Sequence, residues 1–370
     1  MNIWSIFDKN ITLNNHQNLF KSMKKILLGA TVALMGVGSD AIAQDPHFTQ
    51  YFSSPLNLNP AHTGLINTDF RMTAIARTQW YNVSNNPYMT GSISYDRQIL
   101  RDKLPEGDGF GFGLNLLYDR AGTGALTSIN AGVSLAYHKA LGLEKQHHIS
   151  LGVQAALVQK SVNFSKLVFG DQIDLSRPDV YLPTQENLQN ADLTYPDFNA
   201  GLLYSGKASE NAMVYAGVSY FHLTRPVEKF TGQNVAADVR IHSRINGYIG
   251  GQLNLNPNTV AYLSTMYQQQ GSAYELLIGG AVGFILNPYN DEDHSNTTLY
   301  LGAWYRYGDA IAPYVGFEWG KWQLGFAYDV TLSGMNQINQ GQGALEMSAI
   351  YNGVIDKIVR KRYNFSCPKF

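Results

Sequence analysis

Apolar and polar residues alternate with a two-residue period along much of the chain. In GFGFGLNLLYDR, Phe110, Leu114 and Tyr118 share one parity, whereas glycines, Asn115 and Asp119 occupy the other. Because successive side chains of a β-strand point to opposite faces, this alternation predicts a strand with one apolar face. The same pattern recurs in KWQLGFAYDVTL, LYLGAWYR and YELLIGGAVGF.

Fourteen segments of this kind, separated by turn residues, can be traced along the chain. They lie at 69–81, 87–97, 109–119, 124–138, 147–159, 193–205, 211–222, 240–253, 257–269, 273–287, 297–308, 310–320, 321–333 and 343–354. Each is near or above the about 9–11 residues that a tilted membrane-spanning strand needs, and the apolar faces often end in Tyr or Trp. The pattern therefore predicts an all-β fold, a transmembrane antiparallel β-barrel of about 14 strands over residues 69–355.

The composition favours this membrane barrel over a soluble β-sandwich. Charged residues make up 15% of the chain, below the about 25% of average proteins, whereas the outward face of a sandwich would be richly charged. The formal net charge of −1 gives no reason to expect nucleic acid as a partner. Cys367 is the one cysteine, so no intramolecular disulfide can form.

The beginning of the chain has the pattern of a secretory signal peptide. The sequence Met23-Lys24-Lys25 precedes an apolar run, ILLGATVALMGVG, which is too short to span a membrane. Ala41-Ile42-Ala43 then provides a small-residue cleavage site, so residues 1–43 are expected to be removed and the mature chain to begin at Gln44. Translation could start at Met1 or at Met23.

Residues 44–68 fit neither a strand nor a helix. The segment is rich in aromatic residues and is interrupted by three prolines, which cannot donate to a strand ladder. Its aromatic side chains need burial, so we expect it to pack at the periplasmic mouth of the barrel or inside the lumen. An even number of strands places both termini in the periplasm, with residues 356–370 as a basic periplasmic tail.

Charged residues within the predicted strands fall on the parity that faces away from lipid. They are Arg71, Arg77, Asp119, Arg240, Arg244, Glu275, Arg306, Glu318, Asp329 and Glu346. Their mixed signs can pair across a lumen, whereas each would cost up to a few kcal/mol facing lipid. Two interpretations stay open: the charges solvate and pack the barrel interior, or they line a selective path for a solute. The absence of a single-sign row weakens the case for a strongly ion-selective pore.

No motif in the chain predicts catalysis, a cofactor or a metal site. GFGFG lacks the lysine and the strand-to-helix transition of a phosphate-binding loop. Residues 291–294 (DEDH) lack calcium-loop spacing, and His147-His148 has no third ligand nearby. None of the nine histidines lies in a recognisable motif with a nucleophile. The basic sequence KIVRKR, at 357–362, is expected to be solvated or to contact acidic head groups or a partner.

The sequence after the predicted cleavage site, QDPHFTQYFSSPLNLNPAHTG, resembles the start of the PorP/SprF family of type IX secretion membrane proteins. The family pattern is Gln-Asp-Pro-x-Phe-Ser/Thr-Gln-Tyr followed by Pro-Leu-x-x-Asn-Pro-Ala-x-x-Gly. Further resemblance lies in SYDRQIL, LVFGDQID, DFNAGLLY and the terminal CPKF, so it extends through essentially the whole mature chain. The candidate plug or partner-binding residues are Asp45, Pro46, Phe48, Gln50, Tyr51, Pro55, Asn59 and Pro60.

The resemblance implies a non-enzymatic outer-membrane barrel that supports export or surface attachment of proteins with a C-terminal sorting domain, such as the adhesins of gliding bacteria. It implies partners among the secretion components of the periplasm and outer membrane, the secreted cargo and outer-membrane lipid. It supplies no catalytic residues. The alternative hypothesis is a passive or substrate-specific pore, and a membrane-embedded hydrolase is the third.

Overall fold

The computed structural model describes residues 44–83, 86–101, 103–122, 126–167, 170–172, 182–183, 191–228, 240–286 and 297–355. The predicted signal peptide, the DEDH sequence and the basic tail lie outside the described residues. Within them the chain forms fourteen strands. These are β1 (Phe70–Gln79), β2 (Tyr88–Ile99), β3 (Gly109–Ala121), β4 (Leu126–Leu141), β5 (His147–Val162), β6 (Ala191–Ser209), β7 (Ala212–Phe221), β8 (Arg244–Asn256), β9 (Thr259–Gln270), β10 (Ala273–Ile285), β11 (Thr298–Arg306), β12 (Ala310–Trp319), β13 (Trp322–Thr331) and β14 (Gln342–Gly353).

The strands form one closed antiparallel barrel in which each strand pairs with its neighbours in sequence. Closure comes from β1, where Ala74 is opposite Ile93 of β2 on one side and Ala349 of β14 on the other. A closed barrel leaves no unpaired strand edge, which is the condition for spanning lipid with strands. The predicted all-β barrel of about 14 strands is confirmed.

Helical structure within the described residues is short. Helix α1 (Pro55–Leu58) lies in the N-terminal segment between the 3₁₀ turns Tyr51–Ser53 and Pro60–His62, and helix α2 (Asn336–Asn339) precedes β14. Two more 3₁₀ turns, Phe164–Lys166 and Gly170–Gln172, follow β5. Among the described residues, no helix is both long and apolar enough to cross a membrane.

The two faces of the strands differ as the parity analysis predicts. On β13, Leu324 and Phe326 are exposed on the outer face, whereas Asp329 is buried inside. Most of the large exposed apolar side chains of the strands lie on this outer face, which lipid would cover. Arg240 is an exception to the predicted set of interior charges, because β8 begins only at Arg244 and Arg240 is exposed before it.

The two ends of the barrel have different connections. The end at which β14 finishes and β1 begins, called here the C-terminal end, carries tight turns at 210–211, 257–258 and 320–321. The opposite end, called here the loop end, carries the two longest connections, which span 163–190 and 222–243. This asymmetry is typical of outer-membrane barrels, which have short periplasmic turns and longer extracellular loops.

The outer face predicts a clear cost for a charge placed on it. Leu263 lies within β9 and is 72% exposed on that face. We expect Leu263→Arg to lower the free energy of unfolding by about 2–4 kcal/mol, because lipid cannot solvate the guanidinium. Urea unfolding in phospholipid vesicles measures this cost.

Leu143→Arg is the matched control, since Leu143 is fully exposed in the turn between β4 and β5. This change should stay within about 0.5 kcal/mol of the unmodified protein. Equal effects of the two substitutions would mean that the outer face of β9 does not contact lipid.

Candidate functional site: a lumen filled by the N-terminal segment

The N-terminal segment, residues 44–66, runs through the barrel from the loop end to the C-terminal end. The Asp45 N–H donates to Gln270 Oε1 at 2.7 Å, where β9 finishes at the loop end. Midway, the Asn59 side-chain amide donates to the carbonyls of Leu202 and Val218 at 3.1 and 3.2 Å. Near the C-terminal end, the Gly64 N–H donates to Asp96 Oδ2 at 2.7 Å. The chain then turns back into β1.

This path corrects one expectation from the sequence. The even strand number does place the start of β1 and the finish of β14 at the same end. Asp45, however, lies at the opposite end, because the segment before β1 doubles back through the lumen. The expectation that the start of the N-terminal segment lies at the end where β1 begins is therefore wrong, whereas a position inside the lumen was one of the two expected for the segment.

The prolines give the segment its irregular course. Pro55 begins α1 and Pro60 begins the 3₁₀ turn Pro60–His62, positions where a missing N–H costs nothing. Asn59 caps the second turn, since its Oδ1 accepts from the Ala61 N–H at 2.8 Å. The backbone therefore satisfies part of its own hydrogen bonding and uses wall side chains for the rest.

A buried group of charges fixes the segment near the loop end. This group, called here the arginine cluster, consists of Arg77, Arg306, Asp329, Glu346 and Glu275. Asp329 Oδ2 lies 2.8 Å from a guanidinium nitrogen of both Arg77 and Arg306. Arg77 also pairs with Glu346, and Arg306 pairs with Glu275 at 2.8 Å. All five were predicted from parity to face the lumen.

The arginine cluster binds the backbone of the N-terminal segment directly. The Glu346 carboxylate accepts from the N–H groups of Thr49 and Gln50 at 2.7 and 2.9 Å. The Thr49 hydroxyl contacts Asp329 at 3.0 Å and also bonds both arginines. Removing one partner of such a buried group leaves a charge uncompensated, at a typical cost of about 3–5 kcal/mol. The segment and the wall are therefore coupled.

A second set of charges lies where the segment begins, and consists of Asp45, His222, Asp197 and Arg244. The Asp45 carboxylate lies 2.7 Å from His222 Nε2 and 3.1 Å from Arg244 Nη1. Asp197 lies 3.1 Å from the other ring nitrogen of His222. Burial opposes protonation of His222, but Asp45 and Asp197 outweigh it and raise its pKa to about 9. His222 is therefore protonated at pH 7, and the four charges balance.

A third set of contacts fixes the segment at the C-terminal end. Arg71 forms two hydrogen bonds to Asp96, from Nε at 3.0 Å and from Nη2 at 2.9 Å. Asp96 also receives the Gly64 N–H, and Arg71 donates to the His62 carbonyl at 3.2 Å. Gln98 donates to the Ile66 carbonyl at 3.1 Å. A two-point contact between guanidinium and carboxylate holds this turn in one geometry.

Aromatic side chains fill the space between these charged sets. The Phe52 ring lies 5.0 Å from Trp304 and 5.7 Å from Tyr314, measured between centroids. The Tyr248 hydroxyl contacts Asn59 Nδ2 at 2.9 Å and His62 Nε2 at 2.8 Å. These contacts form a hydrophobic core inside the barrel.

The remaining candidate residues occupy defined positions. Phe48, Gln50, Tyr51, Pro55 and Pro60 are buried, and Pro46 is half-buried. The Tyr51 hydroxyl donates to Ser264 at 2.6 Å, and Gln50 Oε1 accepts from Ser348 at 2.8 Å. The charges of Glu318 and Asp119 lie away from the segment: Glu318 accepts from Tyr300, and Asp119 from Thr90 at 2.6 Å.

Several residues that hold the segment were missing from the sequence prediction. Asp96 and Asp197 lie on the lumen face of their strands, so parity could have identified them. Ser134 and His138 contact Thr63 and carry no charge that would have drawn attention. His222 follows β7 in a connection, where no periodicity applies.

A protein-family model for the type IX secretion system membrane protein PorP/SprF matches residues 41–351. The chain belongs to this family. The match includes the N-terminal segment as well as nearly all of the barrel, so the lumen filling described above lies within the family region. Together, the family and the barrel fold support an outer-membrane location. A comparison with curated proteins finds no match.

Solved structures that resemble the chain are outer-membrane barrels of low identity. The toluene transporter TbuX of Ralstonia pickettii is 12% identical with a TM-score of 0.46, over 80% of this chain and 92% of that chain. A FadL homologue of Pseudomonas aeruginosa is 11% identical with a TM-score of 0.42, over 80% and 92%. The toluene transporter TodX of Pseudomonas putida is 9% identical with a TM-score of 0.44, over 80% and 92%. These similarities carry no inference about a substrate.

Glycines on the lumen face leave room for the segment. Substituting one of them therefore tests whether the segment packs against the barrel wall. A Cβ added at Gly152 of β5 would lie 2.2 Å from the Ala61 backbone nitrogen and 2.3 Å from the Pro60 carbonyl carbon. We expect Gly152→Ala to destabilise the protein by about 1–3 kcal/mol, because backbone must move to admit the methyl group. We also expect faster proteolysis of residues 44–66.

The matched control is Gly247→Ala in β8, where an added Cβ meets no atom within 4 Å. Thermal unfolding in detergent and limited proteolysis measure both variants. If both variants behave like the unmodified protein, the segment does not pack against β5 as described.

Proposed function

We propose that this protein is a non-enzymatic outer-membrane barrel of the type IX secretion machinery, which supports export or cell-surface attachment of sorting-domain cargo such as the adhesins of gliding bacteria. It reaches the membrane after signal-peptide cleavage near Ala43. The observation that carries the proposal is the filled lumen in a chain that belongs to a secretion family. A barrel whose interior is occupied and tied to its wall is suited to docking proteins rather than to passing solutes.

The proposed orientation follows from the connections between strands. Longer loops face outward in outer-membrane barrels, so the loop end faces the cell exterior and the C-terminal end faces the periplasm. Cargo then docks at the loop end, and the secretion components of the periplasm meet the short turns and residues 356–370. Lipid contacts the apolar outer face.

The runner-up function is a passive or substrate-specific pore. Most of the mixed-sign lumen charges that could have lined a solute path are instead paired with each other or bonded to the segment. This pairing weighs against a solute pore and favours a barrel that docks proteins.

Deletion of the gene tests the proposal directly. We expect a specific subset of sorting-domain proteins to disappear from the cell surface or to move into the medium, while small-solute uptake stays unchanged. Quantitative proteomics of the surface and of the medium measures this subset. Complementation with the unmodified gene is the control for effects on neighbouring genes.

An unchanged set of secreted and surface proteins, together with lost uptake of a small solute, would overturn the proposed secretion function and favour the solute pore.

A further inference from the structure

Arg97 lies on the outer, lipid-facing side of the barrel near the C-terminal end. It shares the parity of Ile93, which is 59% exposed on that face, whereas its neighbours Asp96 and Gln98 are buried inside. Arg97 is half-buried and stands two residues before Ile99, where β2 ends. It is thus an exception to the interior position of the other strand arginines that hold the N-terminal segment.

The described part of the chain supplies no partner for Arg97. The side chain forms no ion pair and donates no hydrogen bond there, and Nε is its one enclosed nitrogen, so the terminal nitrogens stay accessible. Lys139, an outer-face cation of β4 at the same end, is by contrast paired with Asp108 at 2.9 Å. A guanidinium is positively charged at neutral pH, so Arg97 presents an uncompensated charge to the membrane.

Aromatic side chains flank this arginine on the outer face. Phe70 of β1 and Phe112 of β3 are directly opposite it in the two neighbouring strands. The Phe70 ring lies 5.8 Å from Tyr95 and 5.9 Å from Tyr351, measured between centroids. Trp322 continues the row, 4.8 Å from Tyr351. Such a row is typical of the aromatic girdle that marks the border between the hydrocarbon core and the head groups.

The position of a second outer-face arginine supports this depth. Arg120 lies near the loop end of β3, eight positions after Phe112, the residue opposite Arg97. Eight positions span about 27 Å along a strand, or about 20 Å along the axis of a barrel whose strands tilt by about 40°. The outer face between them carries exposed apolar residues such as Leu114 and Leu116. Because the apolar band is about 25 Å tall, the two arginines lie near its two borders.

A lipid head group is the ligand that fits this position. Phosphates lie at the border of the apolar band, and an arginine reaches them by extending its charged end toward the water. A guanidinium matches a phosphate with two parallel N–H···O hydrogen bonds. The flanking rings of Phe70 and Phe112 offer apolar surface to acyl chains, which free phosphate does not have.

We propose that Arg97 binds the phosphate of a phospholipid head group, with Phe70 and Phe112 packed against the acyl chains of the same lipid. The assignment of this lipid to the periplasmic leaflet rests on the proposed orientation, whereas the phosphate contact does not. The next residue inward, Asp96, holds the Gly64 N–H, so the lipid binds the strand that also holds the N-terminal segment.

Photocrosslinking of lipids to the full barrel in dodecyl maltoside, a detergent without phosphate, tests the proposal. The probes are a photoactivatable phosphatidylglycerol and a photoactivatable diacylglycerol with the same acyl chains and no phosphate. Mass spectrometry of proteolytic peptides measures the labelling beside Arg97. We expect about tenfold more labelling there by the phosphate lipid, as one charge-assisted contact provides.

Three variants assign this preference to the guanidinium. Arg97→Gln should abolish the preference at this position, and Arg97→Lys should keep part of it because the charge remains. Arg120→Gln is the matched control, since it removes the same group from the same face at the other border and should leave the labelling beside Arg97 unchanged. The faster gel migration of the folded barrel is checked for every variant.

Equal labelling by the two lipids beside Arg97, or a preference that survives Arg97→Gln in a folded barrel, would overturn the phosphate site and leave apolar lipid contact only. Loss of the preference in an excess of inorganic phosphate would identify a site for free anions and would also overturn the bound lipid. None of these results affects the proposed secretion function, which the proteomic comparison tests separately.

Discussion

The buried pairing of Arg77 and Arg306 with Asp329 and Glu346 is the interaction on which the rest of the structure depends. These side chains come from four strands that converge on Thr49 and Gln50 of the N-terminal segment. Without the segment, the Glu346 carboxylate would lose two backbone donors and stay buried in a cavity. Without the wall charges, the N–H groups of the segment would be buried and unpaired. The N-terminal segment and the barrel wall therefore satisfy each other's buried hydrogen-bonding groups.

The size of the barrel explains why the lumen needs the N-terminal segment to fill it. Eight strands enclose an interior that wall side chains fill, whereas 16–18 strands leave an aqueous channel. Fourteen strands enclose more space than Tyr248, Trp304 and Tyr314 can occupy from the wall alone. The segment supplies the missing core with Tyr51, Phe52 and Leu58, while its 3₁₀ and α-helical turns satisfy part of its own backbone. The polar wall of the barrel and the segment thereby form one packed interior.

The strands and their faces could be predicted because alternation is a local property. The predicted bounds agree with the structure to within four residues, the largest differences being the finish of β6 and the start of β8. The partners of the lumen charges could not be predicted, since parity places Arg77 and Asp329 on the same face but gives no register between distant strands. A local sequence pattern could not predict the direction of the N-terminal segment through the barrel either. It depends on Asp45 meeting His222 and Arg244, which are far away in sequence.

The central claim is that residues 44–66 close the lumen, and single-channel conductance in planar bilayers tests it most directly. We expect almost no ion current through the intact barrel that carries residues 44–66. We expect a large, steady conductance after deletion of residues 45–58, because the pairing at Thr49 and the aromatic core are then lost. A large open conductance in the intact protein, unchanged by the deletion, would contradict the account.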